Sequence, residues 1–296
     1  MHHLMIRWAV AICFVLTAGS QLRAAEPLTV RLWEGPAPGA MGSEDKDVPT
    51  AIVYLPERSA APTGAIVIFP GGGYGNLAID HEGHQIARWA NQLGLAGIIV
   101  QYRHRGRGYG HPAPMLDAQR AIRLTRRQAA EWNIDPQKVG VLGFSAGGHL
   151  TTTVLTHFDA GQTDAADEVD RLSCRPDFGV VCYAVIALGE TFTHQGSQKN
   201  LLGANASPEL VKSLSNEKQV SEQTPPCFVW HTAEDSAVPV QNSLVFYAAL
   251  VEAKVPAELH VFHEGRHGIG LGASVPGADQ WPELCHSWLK RLQMTP

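Results

Sequence analysis

From Ala65 onward, short apolar runs alternate with longer stretches of helical periodicity. Ala65 to Phe69, Ala96 to Tyr102, Lys138 to Phe144, Asp177 to Ala187, Cys227 to His231 and Ala257 to Phe262 read as strands. Several are apolar throughout, the pattern of a strand covered on both faces. Between them, His81 to Leu93 places Ile86, Ala87, Trp89, Ala90 and Leu93 on one side of a helix. Pro114 to Trp132 has the stripe Met115, Ala118, Ala121, Ile122 and Thr125, with arginines elsewhere, and Asn133-Ile134-Asp135-Pro136 stops it. Further helices are expected from Ser145 to about His157, from Val240 to Ala253 and from Pro276 to Leu292. This alternation predicts an α/β fold, a mostly parallel sheet with helices on both faces. Two short strands, Leu28 to Trp33 and Thr50 to Leu55, precede it.

Three stretches break the pattern. Arg103 to His111 is a loop by its glycines, read as solvated surface in preference to a site for anions. Asp159 to Arg175 is polar and acidic and reads as a surface insertion. Residues 188–224 are rich in Gly, Ser, Asn and Gln, with one short helix expected near Pro208 to Leu214, and read as a lid-like segment.

Composition narrows the class. The chain has 296 residues, 45% of them hydrophobic, which suits one large α/β domain spanning 26–296. A formal charge of −5, with no basic block, argues against a nucleic-acid partner. Residues 1–25 have the pattern of a signal peptide: Arg7, an apolar run from Trp8 to Ala18, and small residues at Ala24 and Ala25. The expectation is export, to the periplasm or the outside, and no stable membrane association after cleavage. A retained anchor is the alternative. Cys174, Cys182, Cys227 and Cys285 remain after cleavage; disulfides and buried free thiols both fit. No cysteine pair has metal-site spacing, and neither metal nor cofactor is expected.

Chemistry enters at Val139 to His149, where an apolar strand ends in Gly143-Phe144-Ser145-Ala146-Gly147 and a helix-compatible segment follows. Strand, sharp turn with a serine, and helix form the nucleophile-elbow pattern. A serine hydroxyl is a weak nucleophile near neutral pH; it needs a base, and the base needs an orienting acid. Asp235 follows one buried strand and His267 follows the last. Asp235 could instead cap a helix, with Glu234 as the spare acid, and His260 and His263 compete with His267. Glycines around His267 let its loop fold back, which favours it. For an oxyanion, the expected donors are the N–H of Ala146 and those of Gly72 and Gly73, in the turn after the third strand. A phosphate cradle is the other use of such glycines, but no Lys-Ser/Thr follows and no Gly-x-Gly-x-x-Gly is present. Since ligands of parallel sheets collect at the carboxyl ends of the strands, all four loops are expected at one edge.

Pro70-Gly71-Gly72-Gly73-Tyr74, His81-Glu82-Gly83, Gly143 to His149, the loop into Asp235 and Gly265-Arg266-His267-Gly268 together resemble the exported acetylxylan-esterase and feruloyl-esterase-like branch of the α/β-hydrolases. The likeness extends from about residue 64 to 290. Relatives with a histidine before the glycine triplet have Pro70 here, and dienelactone hydrolases, similar in size, use cysteine where Ser145 stands. Tyr74, Glu82 and His149 match the resemblance without a chemical role that the sequence supplies; packing around the elbow is the preferred reading. The resemblance implies a serine carboxylesterase that removes acetyl or another small acyl group from a polysaccharide such as xylan. Two other readings are carried: a serine peptidase of the prolyl-oligopeptidase type, and a non-catalytic binding protein on a hydrolase scaffold.

Overall fold

The computed structural model describes residues 26–57 and 60–295; the expected signal peptide, 1–25, lies outside the described residues. Eight strands form one sheet: β1 (Leu28–Arg31), β2 (Thr50–Tyr54), β3 (Thr63–Phe69), β4 (Ala96–Gln101), β5 (Ile134–Phe144), β6 (Gly179–Cys182), β7 (Cys227–Thr232) and β8 (Ala257–Phe262). Their order is β1-β2-β4-β3-β5-β6-β7-β8. β1 and β2 pair antiparallel, as do β2 and β4, and the other neighbours are parallel. Every residue of β3, β6 and β7 is buried, as an unalternating apolar run requires. Each fully covered Val, Ile or Phe side chain there stabilises the fold by about 1.5–3 kcal/mol.

The helices are α1 (Gln85–Gln92), α2 (Ala113–Arg127), α3 (Ala129–Trp132), α4 (Ser145–Thr156), α5 (Gln195–Leu202), α6 (Pro208–Ser213), α7 (Gln241–Glu252) and α8 (Trp281–Arg291). The sheet divides the apolar side chains into two clusters, alternate residues of β3 pointing into each. One includes Val67, Ile122, Leu150 and Val229. The other includes Ile68, Ile86, Phe228 and Trp281. Among the described residues no helix is long and apolar enough to cross a membrane.

Several expectations need correction. The run Asp177 to Ala187 is buried but leaves the sheet after Cys182: Tyr183 takes φ 33°, and Asn242 Oδ1 accepts the Ile186 and Ala187 N–H groups at 2.9 and 3.1 Å. Burial explains the composition; ladder pairing does not extend as far. β5 begins at Ile134 rather than Lys138, because Ile134 pairs with Thr63 before a register shift. The helix expected over Pro114 to Trp132 divides at Gln128 into α2 and α3. Segment 188–224 holds the expected helix as α6 but also α5 and a 3-10 turn at Asn216–Lys218.

The loop Arg103 to His111 is not simply solvated. Arg103 is fully buried, its guanidinium paired with Asp117 at 2.7 Å and lying over the rings of Trp33 and Tyr109. The acidic insertion is likewise more than surface. Asp167 and Asp170 meet Arg120 at 2.6 and 2.9 Å, and Asp159 meets Arg123 at 2.5 Å, so two of the arginines of α2 are covered by it. The four cysteines left open by the sequence are buried free thiols.

Candidate active site

β5 ends at Phe144 between β3 and β6, in the middle of the sheet, and delivers Ser145 to the carboxyl edge. Ser145 has φ 53°, in the left-handed region that costs a non-glycine residue about 1–3 kcal/mol. Its surroundings enforce that geometry. The Ser145 carbonyl accepts from Val185 N–H at 3.0 Å, and α4 starts immediately. A Cβ on Gly147 would lie 2.0 Å from Phe69 O, so only glycine allows α4 to pack this close to β3. Ala146 lies in the first turn of α4, where an N–H has no partner inside the helix.

His267 Nε2 lies 2.8 Å from Ser145 Oγ, and His267 Nδ1 lies 2.6 Å from Asp235 Oδ2. Since the carboxylate can only accept, Nδ1 carries the proton and Nε2 is free to accept the serine hydroxyl. Asp235 caps no helix, because α7 begins six residues later at Gln241. Instead its Oδ1 accepts from Ala237 and Val238 N–H at 3.0 and 2.9 Å, an arrangement that fixes the turn after β7. Burial works against the charge of Asp235, but hydrogen bonds from His231, His267 and Val238 N–H outweigh it and hold the carboxyl well below the usual carboxylate range. His231 is itself fixed by Ser243 Oγ at 2.7 Å and Val238 O at 2.8 Å. The competing histidines go elsewhere: His260 stacks on Phe228, and His263 is exposed. Glu234 is exposed, its carboxylate accepting from Gly265 N–H.

The Gly71–Gly73 turn lies against the serine; a Cβ on Gly71 would sit 2.9 Å from Ser145 Cβ. Gly71 N–H is taken by Glu82 Oε2 at 2.8 Å. Gly72 O accepts from Gly75 and Asn76 N–H, and Gly73 O from Asn200 Nδ2 at 2.8 Å. Among the described residues nothing accepts from the N–H of Gly72 or Gly73. Gly72, at φ +126°, packs so tightly that a Cβ would stand 2.1 Å from Asn76 Oδ1. Pro70, in place of the histidine of some relatives, uses its carbonyl to accept Tyr102 OH at 2.6 Å.

Two of the residues without a role acquire one. His149 Nε2 donates to Leu214 O at 2.8 Å, so its Nδ1 accepts Tyr74 OH at 2.9 Å. Burial lowers the His149 imidazole to about 4, which keeps it in this neutral state. The pair ties the glycine turn to α4 and to segment 188–224.

The structure also brings in His194, which no sequence motif marks. It caps α5, accepting from Ser197 N–H at 3.3 Å and meeting Ser197 Oγ at 2.8 Å through Nδ1. Its Cε1 would be 3.9 Å from a Cβ on Gly73, beside the glycine turn. Burial, then the neighbouring His267, lower its pKa. A surface cavity of about 570 Å³ lies elsewhere, between β1, α2 and the acidic insertion, and none of these site residues lines it. A serine hydroxyl on an imidazole, which in turn meets an ionised carboxylate, meets the geometric requirement for general-base activation.

The chain matches the family model BD-FAE over residues 52–250. It is 35% identical over 248 residues to an acetylxylan esterase of Xylanibacter ruminicola, covering 81% of this chain and 48% of that protein. It is 38% identical over 224 residues to endo-1,4-beta-xylanase B of Butyrivibrio fibrisolvens, covering 75% of this chain and 35% of that one. The chain therefore spans half or less of the length of these curated relatives. Among solved structures, an acetyl ester-xyloside bifunctional hydrolase from Caldicellulosiruptor lactoaceticus superposes with a TM-score of 0.86 at 45% identity, over 91% of this chain and 97% of its own. The sheet described above is that of the α/β-hydrolase fold. On the match across two thirds of its length, the chain belongs to the BD-FAE family.

Proposed function

We propose that the protein is a serine carboxylesterase that removes acetyl, or another small acyl group, from a polysaccharide such as xylan or its oligosaccharides. The observation that carries this reading is the continuous hydrogen-bonded line Ser145–His267–Asp235, against which packs the glycine turn whose Gly72 and Gly73 amides have no acceptor among the described residues. The named activities of the acetylxylan esterase and the acetyl ester-xyloside hydrolase support an acylated carbohydrate as substrate.

In this reading Ser145 Oγ attacks the ester carbonyl while His267 Nε2 takes its proton. The carbonyl oxygen becomes an oxyanion, which the N–H groups of Ala146, Gly72 and Gly73 stabilise by about 3 kcal/mol for each well-placed donor. Asp235 holds the imidazole and balances its charge. The sugar oxygen leaves with the proton from His267, and an acyl group stays on Ser145. Water, giving its proton to the same histidine, then attacks the acyl carbon and releases the acid. The machinery is made of side chains and backbone amides.

Segment 188–224 is the lid-like part of the site. Its His194 has Nδ1 engaged with Ser197, so Nε2 carries the hydrogen and can donate to an oxygen of the sugar. Residues 1–25 would direct export, which suits a polymer too large to enter the cell.

The test is acetate release from acetylated xylan, run beside p-nitrophenyl acetate and a proline-containing peptide amide. The expected outcome is acetate from xylan with the peptide untouched, and loss of both ester activities in a folded Ser145→Ala variant. Hydrolysis of the small ester alone would overturn the polysaccharide assignment. Peptide cleavage would favour the peptidase reading, and full activity in Ser145→Ala would overturn the nucleophile.

A further inference from the structure

Glu82 is a buried acid, 2% exposed, in the wide turn Asp80–His84 ahead of α1. It has no arginine or lysine partner among the described residues, unlike the buried Asp117. Its two oxygens reach in two directions. Oε2 accepts the Gly71 N–H at 2.8 Å, at the start of the glycine turn. Oε1 accepts the Tyr183 hydroxyl at 2.8 Å. The direction of this second bond follows from the chemistry. Tyr183 OH already accepts Gly270 N–H at 2.9 Å, so its one hydrogen is free for Glu82. Gly270 lies three residues beyond His267, and the Tyr183 ring meets the His267 ring edge-on, with centroids 5.2 Å apart. One carboxylate thus bonds the turn that lies against Ser145 and, through one tyrosine, the loop that carries His267.

We propose that Glu82 is a positioning residue for ester hydrolysis, its carboxylate joining the oxyanion turn to the His267 loop through Tyr183 so that both keep one geometry. This rests on the esterase reading above. The carboxylate has a second effect, electrostatic. When His267 takes the serine proton, Glu82 supplies a negative charge behind Tyr183 in addition to that of Asp235. Burial raises the Glu82 carboxyl, and the donors from Tyr183 and Gly71, then His81 and His267, pull it only part of the way back. Glutamine has nearly the same shape but only one acceptor oxygen, so it cannot accept from both Gly71 and Tyr183 and carries no charge.

The groups that face this pair enter the test. Around His267 stand Asp235, Ser145, Tyr183 and His194, and Arg266 donates to its carbonyl. Around Glu82 stand His81 at 3.7 Å, Tyr183, Tyr102 and Cys182. Of the charges among these groups, Glu82→Gln removes only that of Glu82, together with one of its two acceptors. With p-nitrophenyl acetate, kcat should fall about 10- to 100-fold, the scale of a small misplacement of reacting groups, with KM within about twofold. The acid limb of the kcat/KM profile should move to lower pH, because the imidazolium loses a favourable charge. Tyr183→Phe keeps the carboxylate and its bond from Gly71 but removes the hydroxyl, and with it both the bond to Glu82 and the bond from Gly270; kcat should fall about fivefold or more with KM unchanged and the acid limb in place.

A folded Glu82→Gln with kcat within about twofold of wild type would overturn the proposal, as would a loss matched by the unfolded fraction with an unmoved acid limb. If Glu82→Gln does not fold, Tyr183→Phe carries the test: a lower kcat at constant KM supports the proposal, and an unchanged kcat overturns it. Labelling by a fluorophosphonate separates the two readings. Wild type unlabelled at Ser145 would overturn the esterase reading and this proposal together. Labelled wild type with an unaltered Glu82→Gln would overturn this proposal alone.

Discussion

Asp117 on α2 and the pair Asp235 and Glu82 at the sheet edge are all buried, but their surroundings treat their charge differently. Beside β4 and α2, Asp117 receives the guanidinium of Arg103 through Nε and Nη2 and also accepts Arg103 N–H at 2.7 Å. Further along α2, Arg120 and Arg123 are met by Asp167, Asp170 and Asp159 of the insertion. Charge there is neutralised where it arises. At the carboxyl edge of the sheet, Asp235 and Glu82 instead accept from imidazole, hydroxyl and backbone N–H groups. Among the described residues neither has an arginine or lysine partner, so in the proposed reaction their charge is available when His267 takes the serine proton.

The largest effect that could break this contrast is at Asp235. Asp235→Asn keeps the size of the side chain but lets its amide face His267 Nδ1, favouring the wrong tautomer. The expected loss in kcat is about 10⁴-fold. Its melting temperature should remain close to that of wild type, which circular dichroism can check alongside the kinetics. A loss below about tenfold would mean that the carboxylate does not set the state of His267, and the two regions would then differ only in appearance.

The opposite pattern is expected at Asp117. Asp117→Asn leaves the buried Arg103 charge without a counter-ion and should cost about 3–5 kcal/mol of stability by urea denaturation. The folded fraction should retain its kcat. Replacing both partners, Arg103→Met with Asp117→Leu, should recover most of that loss, because no buried charge then remains unpaired. If Asp117→Asn instead lowers kcat in fully folded protein, the division between a neutralised framework and a charged site fails.

The legible parts of the sequence were those with a local signature. Ser145, Asp235 and His267 each follow an apolar run, and parallel strands place such loops on a common edge. The structure brings these three together, and among the described residues nothing accepts from the N–H groups of Gly72 and Gly73, in the turn whose Gly71 lies against Ser145. What stayed hidden depends on partners distant in sequence. Glu82 meets a hydroxyl 101 residues away, and no spacing rule connects them. Arg103 looked solvated because a charged residue among glycines usually is; its counter-ion lies on the next helix, 14 residues on. Asp177 to Ala187 looked like one strand because apolar composition reports burial and not pairing. The bend at Tyr183 is decided by Asn242, whose amide oxygen takes the place of a neighbouring strand. His194 sits in a stretch defined by polar composition, which conveys nothing about which face meets the glycine turn.

His194 gives the smallest effect and the finest division within the site. Its ring belongs to segment 188–224, yet it stands beside Gly73 and feels the charge of His267. Burial lowers its pKa, and because its Nδ1 accepts from Ser197 N–H, the ring offers a donor at Nε2. A hydrogen bond to a sugar oxygen is worth about 1 kcal/mol net, so His194→Ala should lower kcat/KM for an acetylated xylo-oligosaccharide about fivefold. For p-nitrophenyl acetate, which has no sugar to contact, the same variant should stay within about twofold of wild type. Unequal losses would separate the group that recognises the alcohol from the groups that do the chemistry. Equal losses on both substrates would place His194 with Asp235 and Glu82, among the residues that act through His267, and would withdraw the sugar contact from segment 188–224.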